Sequence, residues 1–267
     1  MTQPAQDIAS EPLLLRDERD GVVTLTLNRP RQFNALSAEL IAAMQDAFDM
    51  LAGDESCRVV VLAAAGKAFC AGHDLKQMRA HEEEAYFREL FMSSARVMES
   101  MRTIPQPVIA RVHGIATAAG CQLVANCDLA VAGEDATFAT NGIANGLFCS
   151  TPSVPLVRNV PRKQAFEMLF TGEFVDAAMA LQYGLVNRVA PADKLDDVVG
   201  ELSDQIKSMS RAAVTSGKRM FYEQMRLPLN DAYAYAAEVM ARDMLTDDAA
   251  EGFDAFIEKR KPVWRDR

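Results

Sequence analysis

Residues 67–76, KAFCAGHDLK, and 113–130, HGIATAAGCQLVANCDLA, are the two segments whose residue types and spacing could do chemistry. Each places small residues just past a β-branched apolar strand and just before a helix. A helix start exposes backbone N–H groups that nothing inside the helix can satisfy. Two such junctions facing each other would make a pair of donors for a carbonyl oxygen that becomes negative during reaction. The first junction offers the amides of Gly72, His73 and Asp74, and Asp74 is placed to cap the helix it opens rather than to exchange protons. His73 is expected to act through its amide, with its imidazole the lesser candidate for direct chemistry. The second junction offers the amides of Ala118, Ala119 and Gly120, whose size allows close backbone approach. Taken alone, a small-residue corner also fits tight helix–strand packing. Gln122 follows one turn into the helix.

Other chemistries have weaker footing. Cys149-Ser150-Thr151 has no histidine nearby in sequence and no G-x-S-x-G elbow, so a polar lining or helix cap is favoured over a nucleophile. With three histidines and no HExxH, a protein-built metal site is not expected. Neither a G-x-G-x-x-G nor a G-x-x-x-x-G-K-[ST] run occurs, which removes support for a dinucleotide or P-loop enzyme. The five cysteines form no CxxC pair and read as reduced, buried thiols. The net charge of −9 argues against a nucleic-acid surface and means that a polyanionic ligand needs a local basic patch.

The elements that must hold these junctions follow from patterning. Residues 13–30 read as a hairpin about Asp20-Gly21. A helix is expected from a Ser37 cap to about Leu51, a buried strand over Arg58–Ala65, and a helix from Gln77 to Arg102. Strands are predicted at Pro107–Val112, Leu129–Ala132 and Ala136–Thr140, with a Gly-Glu-Asp turn between the last two. Helices dominate after residue 152, the last at 211–225, 229–245 and 247–260. The organisation predicted is a flexible N-terminus (1–12), an α/β core (13–205) and a helical region (206–267), working as one unit. No apolar run approaches the roughly 20 residues that span a membrane. The N-terminus lacks the features of a secretory signal or organelle presequence, so a cytoplasmic location is expected.

Four segments, KAFCAGHDLK, AAGCQL (118–123), LNRPRQFNALS (27–37) and AEGFDAFIEKRKP (250–262), together resemble the crotonase (enoyl-CoA hydratase/isomerase) superfamily, in the right order from about residue 13 to the end. More narrowly, FATNGIANGLFCSTPSVPL (138–156) with PRKQAFEMLFTGE (161–173) resembles its enoyl-CoA hydratase domain-containing protein three subgroup. The resemblance implies a spiral of ββα units with a C-terminal helical trimerisation region, assembled as a homotrimer or a dimer of trimers. It implies acyl-CoA or enoyl-CoA thioester substrates, with coenzyme A present as part of the substrate and no permanently bound cofactor.

By motif, the oxyanion-hole amides would be those of His73 and Ala119. Substrate and CoA contacts would come from Arg31, Phe33, Ala35, Lys67, Ala71, Gly72, Asp74, Leu75, Lys76, Ile115, Gly120 and Asn141. Phe256 and Lys259 would reach the cofactor from the C-terminal helix, of this subunit or of a neighbour. The chain departs from the hydratase pattern at the chemistry itself. Gln122 and Gly142 stand at the positions of the two hydratase glutamates, and neither can serve as a general base. Ser150 stands where some dehalogenase-like members carry an aspartate, and serine is a poor substitute for a carboxylate nucleophile. Three readings stay open: an enzyme using the oxyanion hole with another acid/base, a degenerate acyl-CoA binder or sensor, and a structural subunit.

Overall fold

The computed structural model describes residues 11–266. The predicted flexibility of 1–12 falls mainly on residues outside that range, while the Pro12 carbonyl accepts a hydrogen bond from Asn28. The hairpin forms as expected. β1 (Leu14–Arg19) pairs antiparallel with β2 (Val22–Leu27), and Asp20 and Gly21 take the positive φ that a tight turn requires. β2 alternates half-buried and buried residues, so one face lies on the core.

Helix α1 (Ala38–Ala52) starts where Ser37 accepts from the Leu40 N–H, and it buries Leu40, Ile41, Met44, Phe48 and Leu51. β3 (Val59–Ala64) is buried at every position, as expected of a strand covered on both faces. β4 (Ala68–Cys70) follows and leads into α2 (Leu75–Ala80). The helix expected over 77–102 is instead two helices, α2 and α3 (Glu84–Thr103). The break falls at 81–83, where His81 leaves the helical region at φ −133° and stacks on Tyr86 at 4.4 Å. Apolar periodicity runs through a break of three residues, and that is why spacing alone missed it.

The same pattern repeats twice. β5 (Val108–Val112) and β6 (Ile115–Thr117) precede α4 (Ala119–Asn126), and β7 (Leu129–Gly133) and β8 (Thr137–Ala139) precede α5 (Ser150–Asn159). In each unit the first strand joins one sheet and the second joins the other. With β9 (Val175–Asp176) and β10 (Arg188–Ala190) included, one sheet is ordered β1-β2-β3-β5-β7-β10 and the other β4-β6-β8-β9. β3, β5 and β7 are parallel neighbours, as are β4, β6 and β8. The chain therefore winds as a spiral of ββα units, and the turns that leave β4, β6 and β8 fall at the same C-terminal end of the second sheet's parallel strands.

Helix α6 (Arg162–Thr171) precedes the short β9 (Val175–Asp176), α7 (Ala177–Gln182) and β10 (Arg188–Ala190). Helix α8 (Leu195–Lys207) covers the outer face of the first sheet, where Leu195, Val199 and Leu202 pack with Val59, Val61, Ile109 and Val131. The helical region then continues as α9 (Arg211–Gln224), α10 (Leu229–Asp243) and α11 (Asp247–Glu258). Helix α9 is anchored to the core by a buried cluster. The Lys218 ammonium lies 2.7 Å from Asp128 and donates to the Met101 and Gln106 carbonyls, while Tyr222 donates to the same carboxylate. Among the described residues no helix is long and apolar enough to cross a membrane.

Candidate functional site

The two junctions meet. On the first, residues 33–36 are zipped to residues 71–74. The Ala71 N–H donates to the Phe33 carbonyl, Leu36 to Gly72 and Asp74 to Leu36, at 2.7–3.0 Å. This short parallel bridge of Leu36 with His73 turns the His73 N–H to the opposite side. The loop is braced from beneath by Asn34, fully buried, whose amide nitrogen donates to the Ala65 and Ala68 carbonyls at 2.8 Å. Arg29 adds a hydrogen bond to the Ala35 carbonyl and an ion pair with Asp74 at 2.9 Å. Asp74 also caps α2 through the Lys76 and Gln77 amides, the structural role expected of it, and these contacts hold its pKa below the usual carboxylate range against the opposing effect of burial.

Of the three amides at this junction, Asp74 donates to Leu36, Gly72 lies beside the Cys70 thiol, and the His73 N–H has no partner among the described residues. On the second junction, Ala118 donates to the Ala139 carbonyl at 2.9 Å. Ala119, as the first residue of α4, has no intrahelical acceptor and no other partner among the described residues. The two free amides are neighbours: a Cβ built on Gly72 would stand 3.0 Å from the Ala118 Cβ and 3.4 Å from the Ala119 nitrogen. Gly120 brings the corner against β4, since a Cβ there would stand 2.0 Å from the Cys70 carbonyl oxygen. Ala118 is at φ 49°, ψ −116°, a conformation costing alanine on the order of 1–3 kcal/mol.

Two polar side chains, buried Gln122 and half-buried His73, flank these amides. Gln122 is 4% exposed and its Oε1 has no hydrogen-bond partner. Helical side chains lean toward the N-terminus, so Gln122 covers the turn that carries Ala119. The His73 ring meets Phe91 edge-on at 5.3 Å, and its Nε2 is buried without a partner. Burial pulls the imidazole pKa down to about 4, so the ring is neutral at pH 7 and a weak base.

The remaining sequence candidates separate into groups. Gly142 lies in a 3-10 turn over Asn141–Asn145, on the segment that follows β8. Its N–H donates to the Cys149 sulfur at 3.3 Å, and a Cβ there would stand 2.6 Å from the Leu147 carbonyl oxygen. Ser150 is exposed, begins α5 and donates its hydroxyl to the Phe148 carbonyl. Arg31, Phe33, Ala71, Leu75 and Lys76 are exposed around the zipped loop, Lys67 is exposed in the bend before β4, and Ile115 is exposed at the start of β6. Phe256 and Lys259 lie at the end of α11, which packs on α9, and Phe256 is 83% exposed. Arg29 and Phe91 were not singled out as site residues from sequence, Ala118 was named only for its amide, and Cys149 only beside Ser150 as a disfavoured nucleophile. Arg29 stood inside the LNRPRQFNALS motif, but its two partners are set by the fold.

Comparison with known proteins bears on this arrangement. The sequence matches the enoyl-CoA hydratase/isomerase family profile over residues 17–267. The chain belongs to that family. Its relatives include enoyl-CoA hydratase domain-containing protein 3 of Xenopus laevis, 46% identical over 95% of this chain and 86% of the frog protein. The human protein of that name is 43% identical over 92% of this chain and 81% of its own length. Among solved structures, an enoyl-CoA hydratase of Mycobacterium smegmatis is 58% identical with a TM-score of 0.94, covering 95% of this chain and 99% of that one. The human enoyl-CoA hydratase domain-containing protein 3 structure gives 0.92 at 42% identity, over 95% of this chain and 100% of that one.

The spiral seen here is thus the crotonase fold, and the chain is an enoyl-CoA hydratase/isomerase-family thioester-processing enzyme of the domain-containing protein 3 type. The expected cytoplasmic location is contradicted, because the frog, rat, mouse and human relatives are all named mitochondrial. That expectation rested on the composition of the first residues, which reports on a targeting segment and not on the compartment.

Proposed function

We propose that this enoyl-CoA hydratase/isomerase-family enzyme holds the thioester oxygen of an acyl-CoA between the N–H groups of His73 and Ala119 and stabilises the enolate formed there, without a glutamate pair to add or remove water. The observation that supports it is the pair of unpartnered amides set side by side by Gly72. Such donors act in a site that excludes water, and removing one costs about 3 kcal/mol of barrier. Amides fixed by the fold need no reorganisation as the charge develops. Gln122 has no titratable proton and Gly142 no side chain, so neither exchanges protons with substrate.

Coenzyme A enters with the substrate rather than as a resident cofactor. The Asn34-Ala35-Leu36 segment of the zipped loop would receive its adenine end through backbone groups, with Lys67 and Lys76 exposed nearby for phosphates. These local cations answer the acidic net charge of the chain. Phe256 and Lys259 complete the contact in a homotrimer or a dimer of trimers, from a neighbouring subunit. Leu229, Tyr233, Met240 and Ile257, exposed on α10 and α11, supply apolar surface for such assembly.

A second reading, an acyl-CoA binder without turnover, draws support from the closed space at Gly142 and the neutral His73 imidazole. A panel of acyl-CoA thioesters incubated with pure protein and followed by mass spectrometry separates the two. Turnover of any member favours the enzyme, and binding without turnover favours the binder. Equal calorimetric affinity for a CoA thioester and its free acid would overturn both.

A further inference from the structure

We infer that Ala118 is a positioning residue: its methyl, seated in the space left by the missing side chain of Gly72, holds the 118–119 peptide so that the Ala119 N–H faces the His73 N–H. The inference rests on the amide-pair reading above and concerns what aims that pair.

The Ala118 backbone is unusual even among the non-glycine residues at positive φ. Phe33 and Lys259 lie in the ordinary left-handed region, at ψ 35° and 38°. Ala118 combines φ 49° with ψ −116°, where the alanine Cβ crowds its own backbone. Both peptides that flank this residue are tied. The Ala118 N–H donates to the Ala139 carbonyl of β8 at 2.9 Å, and the Ala118 carbonyl accepts from the Gln122 N–H at 3.0 Å. A trans peptide points its N–H opposite its C=O. With the carbonyl turned into the first turn of α4, the Ala119 N–H must point away from the helix, toward the first junction.

The methyl closes the arrangement. A Cβ on Gly72 would come within 3.0 Å of the Ala118 Cβ, so only one of the two positions can carry a side chain without displacement. Gly72 is at φ +96°, where a side chain would itself be strained. The two junctions therefore meet through one methyl and one vacancy. Glycine at 118 would relieve the strained φ and ψ but would leave the 118–119 peptide a wider range of orientations.

The test uses the full chain and acetoacetyl-CoA, a β-ketoacyl thioester whose enolate has its own near-ultraviolet band. Wild-type protein is expected to bind it and to develop that band. Ala118→Gly is expected to melt at or above the wild-type temperature yet bind the enolate about tenfold more weakly, a smaller loss than the roughly 100-fold that outright removal of an oxyanion donor costs in turnover. Ala118→Ser, which restores a Cβ at the same place, is expected to recover the band to within about twofold of wild type. A glycine variant with wild-type enolate affinity would overturn the inference, as would a serine variant as weak as the glycine one. Absence of any enolate band with wild-type protein would overturn the amide-pair reading itself, a separate result.

Discussion

The Cys149 thiol stands where a side chain at residue 142 would have to go: the Gly142 N–H donates to its sulfur at 3.3 Å, and a Cβ on Gly142 would lie 2.8 Å from it. The Leu147 carbonyl oxygen, at 2.6 Å from the same point, closes the space from the backbone side. Residue 142 is therefore shut to a carboxylate by packing as well as by identity. Gly142→Glu, alone or with Gln122→Glu, is expected to destabilise the fold by about 1–3 kcal/mol through overpacking and to confer no hydration. Urea unfolding and loss of enoyl absorbance from crotonyl-CoA measure the two effects. A stable double variant that hydrates crotonyl-CoA would refute the expectation.

Gln122 holds a buried oxygen with no partner. An unsatisfied buried acceptor costs about 1–3 kcal/mol, and an apolar side chain of similar shape avoids that cost. Gln122→Met is therefore expected to raise the melting temperature of the free protein while weakening thioesters whose acyl group carries a hydroxyl. Calorimetric scanning and titration with paired hydroxylated and saturated thioesters read both changes, and a lowered melting temperature would show that the amide is satisfied in the fold.

Protonation of His73 gives the site a pH dependence. Its folded pKa, about 4, lies below the ordinary value of roughly 6.5, so the unfolded chain binds the extra proton first as pH falls. The associated stability is present above about pH 6.5 and is lost as pH drops through about 4. His73→Leu is expected to lose less stability than wild type between those limits. The same variant is expected to keep thioester affinity within about threefold, because the proposed donor is the backbone N–H, which remains. A large affinity loss in folded His73→Leu would assign the work to the imidazole instead.

Lys218 and Asp128 form a buried charge pair between α9 and the core, with the ammonium side chain 6% exposed. Removing one partner leaves the other charge buried and uncompensated. Lys218→Met is expected to cost about 3–5 kcal/mol by denaturant unfolding, more than loss of any exposed ion pair such as Arg88–Glu84. A cost below about 1 kcal/mol would mean that α9 is held by its other contacts.

Much of this molecule was legible from its residues because the signals are local. Ser37 and Asp74 cap the helices they were expected to open, and the Asp20-Gly21 turn, the strand at 59–64 and the final three helices fall close to their predicted places. The short strands β4, β6 and β9 were not separated from their surroundings, since two or three residues carry too little periodicity to read. Cytoplasmic location was read from a segment that does not report it, and the relatives contradicted it.

By itself the sequence determined that two small-residue corners would each present backbone donors, that Gln122 and Gly142 carry no titratable side chain, and that the chain had the motif order of its family. Those are properties of residue identity and of the chain next to it. Only the tertiary structure decided which amides remain free, because their competitors are met by residues remote in sequence: Leu36 takes Asp74, and Ala139 takes Ala118. It also decided that Gly72 meets Ala118 and that Cys149 fills the space at Gly142. Such contacts depend on how β4, β6 and β8 stack in register, and register is a relation between distant strands that no single segment contains.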